Sequence, residues 1–91
     1  MTQVSRAQVL LLTRDGCSIC VRVRDRLVQL AAELDFDLTT VDVDARAAEG
    51  DAGLRAEFGD RLPVVMLDGV EHSYWDVDEP QLRADLAARQ R

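Results

Sequence analysis

Long apolar runs are missing from this 91-residue chain. No segment approaches the roughly 18 apolar residues a membrane span requires. Behind Met1-Thr2-Gln3-Val4-Ser5-Arg6 only Val9 to Leu12 is continuously apolar, and Thr13-Arg14-Asp15 stands where small cleavage-site residues would follow a signal sequence. A cytoplasmic protein with no membrane partner is expected. Basic blocks are missing as well: the formal net charge is -6, and without a concentrated cationic surface nucleic acid is not an expected partner. Glycine (5) and proline (2) are scarce while 47% of the residues are hydrophobic, which argues against disorder and for a packed core. The length allows one small domain over residues 1–91 and not two.

Two cysteines are too few for a disulfide scaffold. Both fall in Cys17-Ser18-Ile19-Cys20, where a bond would close a tiny loop and stabilise little. A closed zinc site wants four ligands, and the single histidine, His72, lies far along the chain. His72 is expected at the surface or in strand packing.

What is present is a regular alternation of elements. Val9-Leu10-Leu11-Leu12 reads as a strand buried on both faces. After Asp15-Gly16, apolar residues at Cys20, Val23, Leu27, Leu30, Ala31 and Leu34 keep helical spacing, with Arg22, Asp25, Arg26, Gln29 and Glu33 outward. Leu38 to Val43 is mixed and reads as an edge strand. Gly50-Asp51-Ala52-Gly53 opens a short helix that carries Leu54 and Phe58 and stops at Gly59. Leu62 to Leu67 is a second apolar strand, Asp68-Gly69 a hairpin turn, and Val70 to Trp75 the partner strand. Asp78-Glu79-Pro80-Gln81 starts a last helix with an acceptor cap and Pro in its first turn; Leu82, Leu86 and Ala87 give it a core side.

The order is β-α-β-α-β-β-α. The first two strands are expected parallel with a right-handed crossover, the last two antiparallel. With the apolar strands central, the sheet is four-stranded and mixed, in the order 2-1-3-4, flanked by helices: an α/β fold. Tyr74 and Trp75 are sequence neighbours in the last strand and point to opposite faces. Either is expected to pack against the last helix, leaving the other to border a groove.

Cys17 stands where the first strand hands over to the first helix, and Cys20 one turn on. Unsatisfied N–H groups and the helix dipole favour negative charge there, and such placement draws a thiol below its free pKa of about 8.5. Arg14, Arg22 and Arg24 are near enough in sequence to add favourable charge. The i, i+3 spacing lets Cys20 attack a mixed disulfide formed on Cys17. Cys17 is therefore read as the nucleophile and Cys20 as the resolving thiol; core filling and metal binding are the competing readings.

Thr13-Arg14-Asp15-Gly16-Cys17-Ser18-Ile19-Cys20, Leu62-Pro63 and Asp68-Gly69 together resemble the thioredoxin superfamily and, more closely, small glutaredoxin-like proteins, from Val9 through Leu86. The resemblance implies a thioredoxin-like fold and a cis Leu62–Pro63 bond beside the cysteines, with the Leu62 backbone free to pair with an extended substrate segment. It places basic residues before and after the motif, at Arg14 and Arg24. It makes Arg14, Ser18, Ile19, Leu62 and Pro63 the substrate-binding set. There are departures. Ser-Ile separates the cysteines where glutaredoxins usually carry Pro-Tyr and thioredoxins Gly-Pro. Gly16 takes the place of the thioredoxin tryptophan, and Leu62 is an unusual residue before the proline. The Gly-Gly and Asp pattern that holds glutathione is replaced by Ser73-Tyr74-Trp75-Asp76-Val77-Asp78, in which Asp76 or Asp78 would have to serve, although Asp78 is expected to cap the last helix.

The expected function is a small dithiol–disulfide oxidoreductase or electron carrier. It would reduce protein or low-molecular-weight disulfides through Cys17 and Cys20, as a monomer with no bound cofactor or metal. Glutathione or a flavoprotein reductase would donate the electrons. Two alternatives stay open: an adaptor with an idle dithiol, and a dimer holding an iron–sulfur cluster or metal through Cys17.

Overall fold

The computed structural model describes residues 6–89, so the reading of Met1 to Ser5 lies outside the described residues. The elements are β1 (Gln8–Thr13), α1 (Ser18–Leu34), β2 (Asp37–Asp42), α2 (Val43–Ala48), α3 (Gly53–Phe58), β3 (Val64–Leu67), β4 (Val70–Tyr74) and α4 (Glu79–Arg89). The sheet order is β2-β1-β3-β4. β1 pairs parallel with β2, and antiparallel with β3 through Leu12↔Val64 and Val9↔Leu67; β3 pairs antiparallel with β4. This is the expected mixed α/β sheet.

Alternation along the central strands divides the core in two. Val9, Leu11 and Val65 face α1 and α4, where Val23, Leu27, Leu30, Leu82 and Leu86 close over them. Leu12 and Val64 face the other side, covered by Val43 of α2 and Phe58 of α3. Each such side chain removed from water contributes about 1.5–3 kcal/mol, so β1, apolar on both faces, is the member shared by the two layers. Asp68 and Gly69 both take positive φ, 50° and 84°, and bring Leu67 opposite Val70. That is the backbone a two-residue primed hairpin turn demands, which is why Asp-Gly stands there.

The crossover from β2 to β3 carries two short helices where one was expected. Asp42 ends the strand instead of continuing it: its Oδ1 accepts from the Asp44 and Ala45 N–H groups at 2.9 and 3.0 Å. That cap turns the chain into α2, so Val43 becomes a fully buried helix residue and not the end of the strand. The helix α3 ends at Phe58 with Gly59 as its C-cap, the stop expected there, and a Cβ at Gly59 would lie 2.5 Å from the Arg55 carbonyl oxygen. Among the described residues no helix is long and apolar enough to cross a membrane.

Candidate active site

The site grows from the C-terminal end of β1. Gly16 has φ +79°, a conformation open to glycine at little cost, and it delivers Cys17 to the start of α1. Cys17 is extended (φ −92°, ψ 105°) and caps the helix. Its sulfur accepts from the Cys20 backbone N–H at 3.1 Å, and its carbonyl accepts from Val21 N–H at 3.2 Å. The cap that serine or aspartate usually supplies is here a sulfur.

Cys17 and Cys20 are joined as a disulfide, with Cα atoms 5.2 Å apart. Their surroundings differ. Cys17 is half-buried, and Ser18 and Ile19 beside it are exposed, Ile19 by 45%; Cys20 is 2% exposed. Cys17 is thus the more accessible residue of the pair.

The Leu62–Pro63 bond is cis, as the resemblance implied. The ladder pair Leu12↔Val64 sets Pro63 level with Thr13, at the strand end from which the dithiol loop springs. Pro63 is buried, and its carbonyl accepts from Trp75 N–H at 2.7 Å. Leu62 is half-buried and takes part in none of the backbone hydrogen bonds outside the regular elements. The described fold thus gathers Cys17, Ser18, Ile19, Cys20, Leu62 and Pro63 at one end of the sheet.

Arg14 belongs to the same end but faces a different partner. Its Nε and Nη2 reach the two Asp44 carboxylate oxygens at 2.8 and 3.2 Å, and its Nη1 lies 3.5 Å from the Gly59 carbonyl oxygen. The hydrogen bond from Arg14 holds the Asp44 carboxyl below its ordinary value, and the same bond raises Arg14. Thr13, Arg14, Cys20, Arg24, Thr40 and Asp42 border a cleft of about 180 Å³ alongside the buried cysteine. Asp42 and Asp44 were not among the residues anticipated; the local signal for them is Asp42 ahead of an alanine-containing helical stretch.

Tyr74 and Trp75 differ from expectation. Neither is buried: they are 47% and 59% exposed and meet each other edge to face, with centroids 4.9 Å apart. The strand ends at Tyr74, and Trp75 takes φ 68°, so the alternation that would send the rings to opposite faces stops between them. An open groove of about 800 Å³ runs from Ser73 and Tyr74 past Asp76 and Asp78 to Pro80. Asp78 caps α4, accepting from Gln81 N–H at 3.2 Å, and Asp76 accepts from Val77 N–H at 2.7 Å. His72 is strand packing, its Nε2 2.8 Å from Asp85. Among the described residues no group of three or more His, Cys, Asp or Glu side chains is placed to hold a metal ion.

The architecture is that of thioredoxin-like proteins. It superposes on a Nitrosomonas europaea protein solved by NMR with a TM-score of 0.75 at 23% identity, covering 93% of this chain and 96% of that one. Thioredoxin from Fasciola hepatica gives a TM-score of 0.61 at 21% identity over 92% of this chain and 81% of its own. Within that fold the chain belongs to the glutaredoxin-like domain family (DUF836), which matches residues 8–87. A Mycobacterium tuberculosis protein described as uncharacterized is 67% identical over 84 residues, 92% of this chain and 87% of that relative. A Mycobacterium bovis protein described in the same way matches equally. Fold, family and the Cys17–Cys20 pair together give the chain redox capacity.

Proposed function

We propose that the protein is a cytoplasmic dithiol–disulfide oxidoreductase, acting as a monomeric single-domain carrier of two electrons to disulfide-bonded partners. The observation that carries this reading is the Cys17 sulfur at the N-cap of α1, accepting a backbone hydrogen bond. An acceptor in that position is better satisfied as an anion, and the thiolate is the nucleophile.

The Cys17 thiolate attacks one sulfur of the partner's disulfide; that bond breaks, and the other sulfur leaves as a thiolate that takes a proton from solvent. Cys20 then gives up its proton and attacks the Cys17 sulfur, expelling the partner's second sulfur. The partner has gained two electrons, and the Cys17–Cys20 bond holds the oxidised dithiol. A second thiol source, glutathione or the dithiol of a flavoprotein reductase, returns two electrons by the same exchange in reverse. Ser18 and Ile19 contact the incoming chain, the Leu62 backbone pairs with it, and Pro63 shapes the opposite wall. No bound metal or organic cofactor takes part in these steps.

Turnover of a protein disulfide, supplied in parallel with glutathione and with a thioredoxin-reductase system, tests the reading and identifies the donor. Reduction in at least one arm is expected. No turnover in either, with Cys17 alkylating like a free thiol, would instead make the chain an adaptor with an idle dithiol.

A further inference from the structure

Every lysine-or-arginine position of this chain is arginine, and the one just before the dithiol motif, Arg14, is paired with Asp44. Arg14 stands three positions before Cys17 and borders the same cleft as Cys20. A cation there would stabilise a thiolate through space. Its guanidinium is instead held in a two-point fork by Asp44 and leans on the Gly59 carbonyl. Such a fork fixes the orientation of the guanidinium plane as well as its charge.

Of the other arginines near the motif in sequence, Arg22 is exposed on α1. Arg24 borders the cleft and pairs with Asp25 at 3.3 Å. Arg61, on the loop before Pro63, lies between Asp60 and Glu71 at 3.8 and 3.5 Å. Asp42 has one oxygen occupied by two N–H groups at the start of α2, and Asp15 is exposed on the loop itself. Arg55 also acts on Asp44 and Asp42 also acts on Arg14, but among the described residues the hydrogen-bonded fork joins Arg14 to Asp44 alone, so removing the Asp44 carboxylate frees the guanidinium from it.

Resting on the reading of Cys17 as the nucleophile, we propose that Asp44 is a positioning residue for the dithiol: it holds the Arg14 charge off the Cys17 sulfur and ties the loop to α2. The helix N-terminus, and not a basic side chain, then governs how readily Cys17 ionises. The arrangement has a directional consequence. Asp44→Asn leaves a free cation beside the dithiol, whereas Arg14→Gln leaves a free carboxylate. The two changes push Cys17 in opposite directions, while an ion pair that merely staples two segments is lost alike from either side.

The test is the rate of Cys17 alkylation by iodoacetamide against pH, in reduced protein carrying Cys20→Ser so that one thiol reports. Asp44→Asn should move the midpoint down by about half a pH unit, the size expected of one charge a few ångströms off in a partly solvated site. Arg14→Gln should move it up, and the double variant should return it close to the parent. Should Asp44→Asn fail to fold, Arg14→Lys is the second test: it keeps the charge, cannot form the fork, and must shift the midpoint downward. Equal shifts from Asp44→Asn and Arg14→Gln, or no shift from Asp44→Asn in folded protein, would overturn the assignment. A parent midpoint at the free-thiol value with the opposed shifts intact would sink the nucleophile reading and leave the Asp44 assignment standing.

Discussion

At α4 the helix opens on a carboxylate, Asp78, whose oxygen accepts from Gln81 N–H at 3.2 Å; at α1 the same task falls to the Cys17 sulfur, which accepts from Cys20 N–H at 3.1 Å. Both helices start at the same end of the sheet and lay Val23, Leu27, Leu30, Leu82 and Leu86 on the same face of it. They are joined by the Arg26–Glu79 pair, two contacts of 2.7 Å. Each cap accepts from the N–H three residues on, but the chemistry of the two groups differs. A carboxylate is ionised at neutral pH wherever it is solvated, so α4 gains a cap and nothing more. A thiol is ionised only when its surroundings favour the anion, so on the proposed function the same N–H groups at α1 would turn a cap into a reactive group.

The comparison can be broken at its strongest point by Cys17→Ser. Serine keeps an acceptor at the cap, so the fold should persist by circular dichroism while disulfide-reducing turnover disappears. Cys20→Ser should retain the first half-reaction and accumulate a mixed disulfide visible by mass spectrometry. Next in size, Leu82→Ala and Leu27→Ala remove fully buried side chains from the two helices. Each should cost about 2–5 kcal/mol in urea unfolding, because in packing, unlike capping, the helices are equivalent. A helix whose truncation cost nothing would not share this core.

Smaller again, Asp78→Ala should lower stability by about 1 kcal/mol and leave the alkylation midpoint of Cys17 where it was. A moved midpoint would mean that the two helix starts are coupled. The smallest effect concerns pH. The hydrogen bond from Arg26 holds the Glu79 carboxyl below its ordinary value of 4.5. A folded value lower than the unfolded one gives stability that is present above the unfolded pKa and lost as the pH falls through the folded one. Stability should therefore decline below about pH 4.5, and Glu79→Gln should flatten that part of the profile in a series of urea midpoints.

Much of this was legible because the determinants are local. Val9–Leu12 and Val64–Leu67 are apolar on both faces and lie at the centre; Asp68-Gly69 makes the hairpin; Asp78 caps α4. The dithiol at a strand-to-helix junction was equally plain. What escaped was decided at a distance or at one hinge residue. Val41-Asp42-Val43 alternates like a strand, and only the Asp42 cap bends it into α2. That bend brings Asp44 to Arg14, thirty positions away in sequence, a pairing with no local signature. Tyr74 and Trp75 obey strand alternation up to the residue where φ turns positive, and a tryptophan gives no notice that it will take that conformation.

One titration bears on the account most directly: the alkylation rate of Cys17 in reduced Cys20→Ser protein as a function of pH. If the α1 N-terminus stabilises the anion, the midpoint falls clearly below the free-thiol value of about 8.5. A midpoint at or above that value in folded protein would contradict the account, for the sulfur at the cap would then be a structural acceptor and no nucleophile at neutral pH.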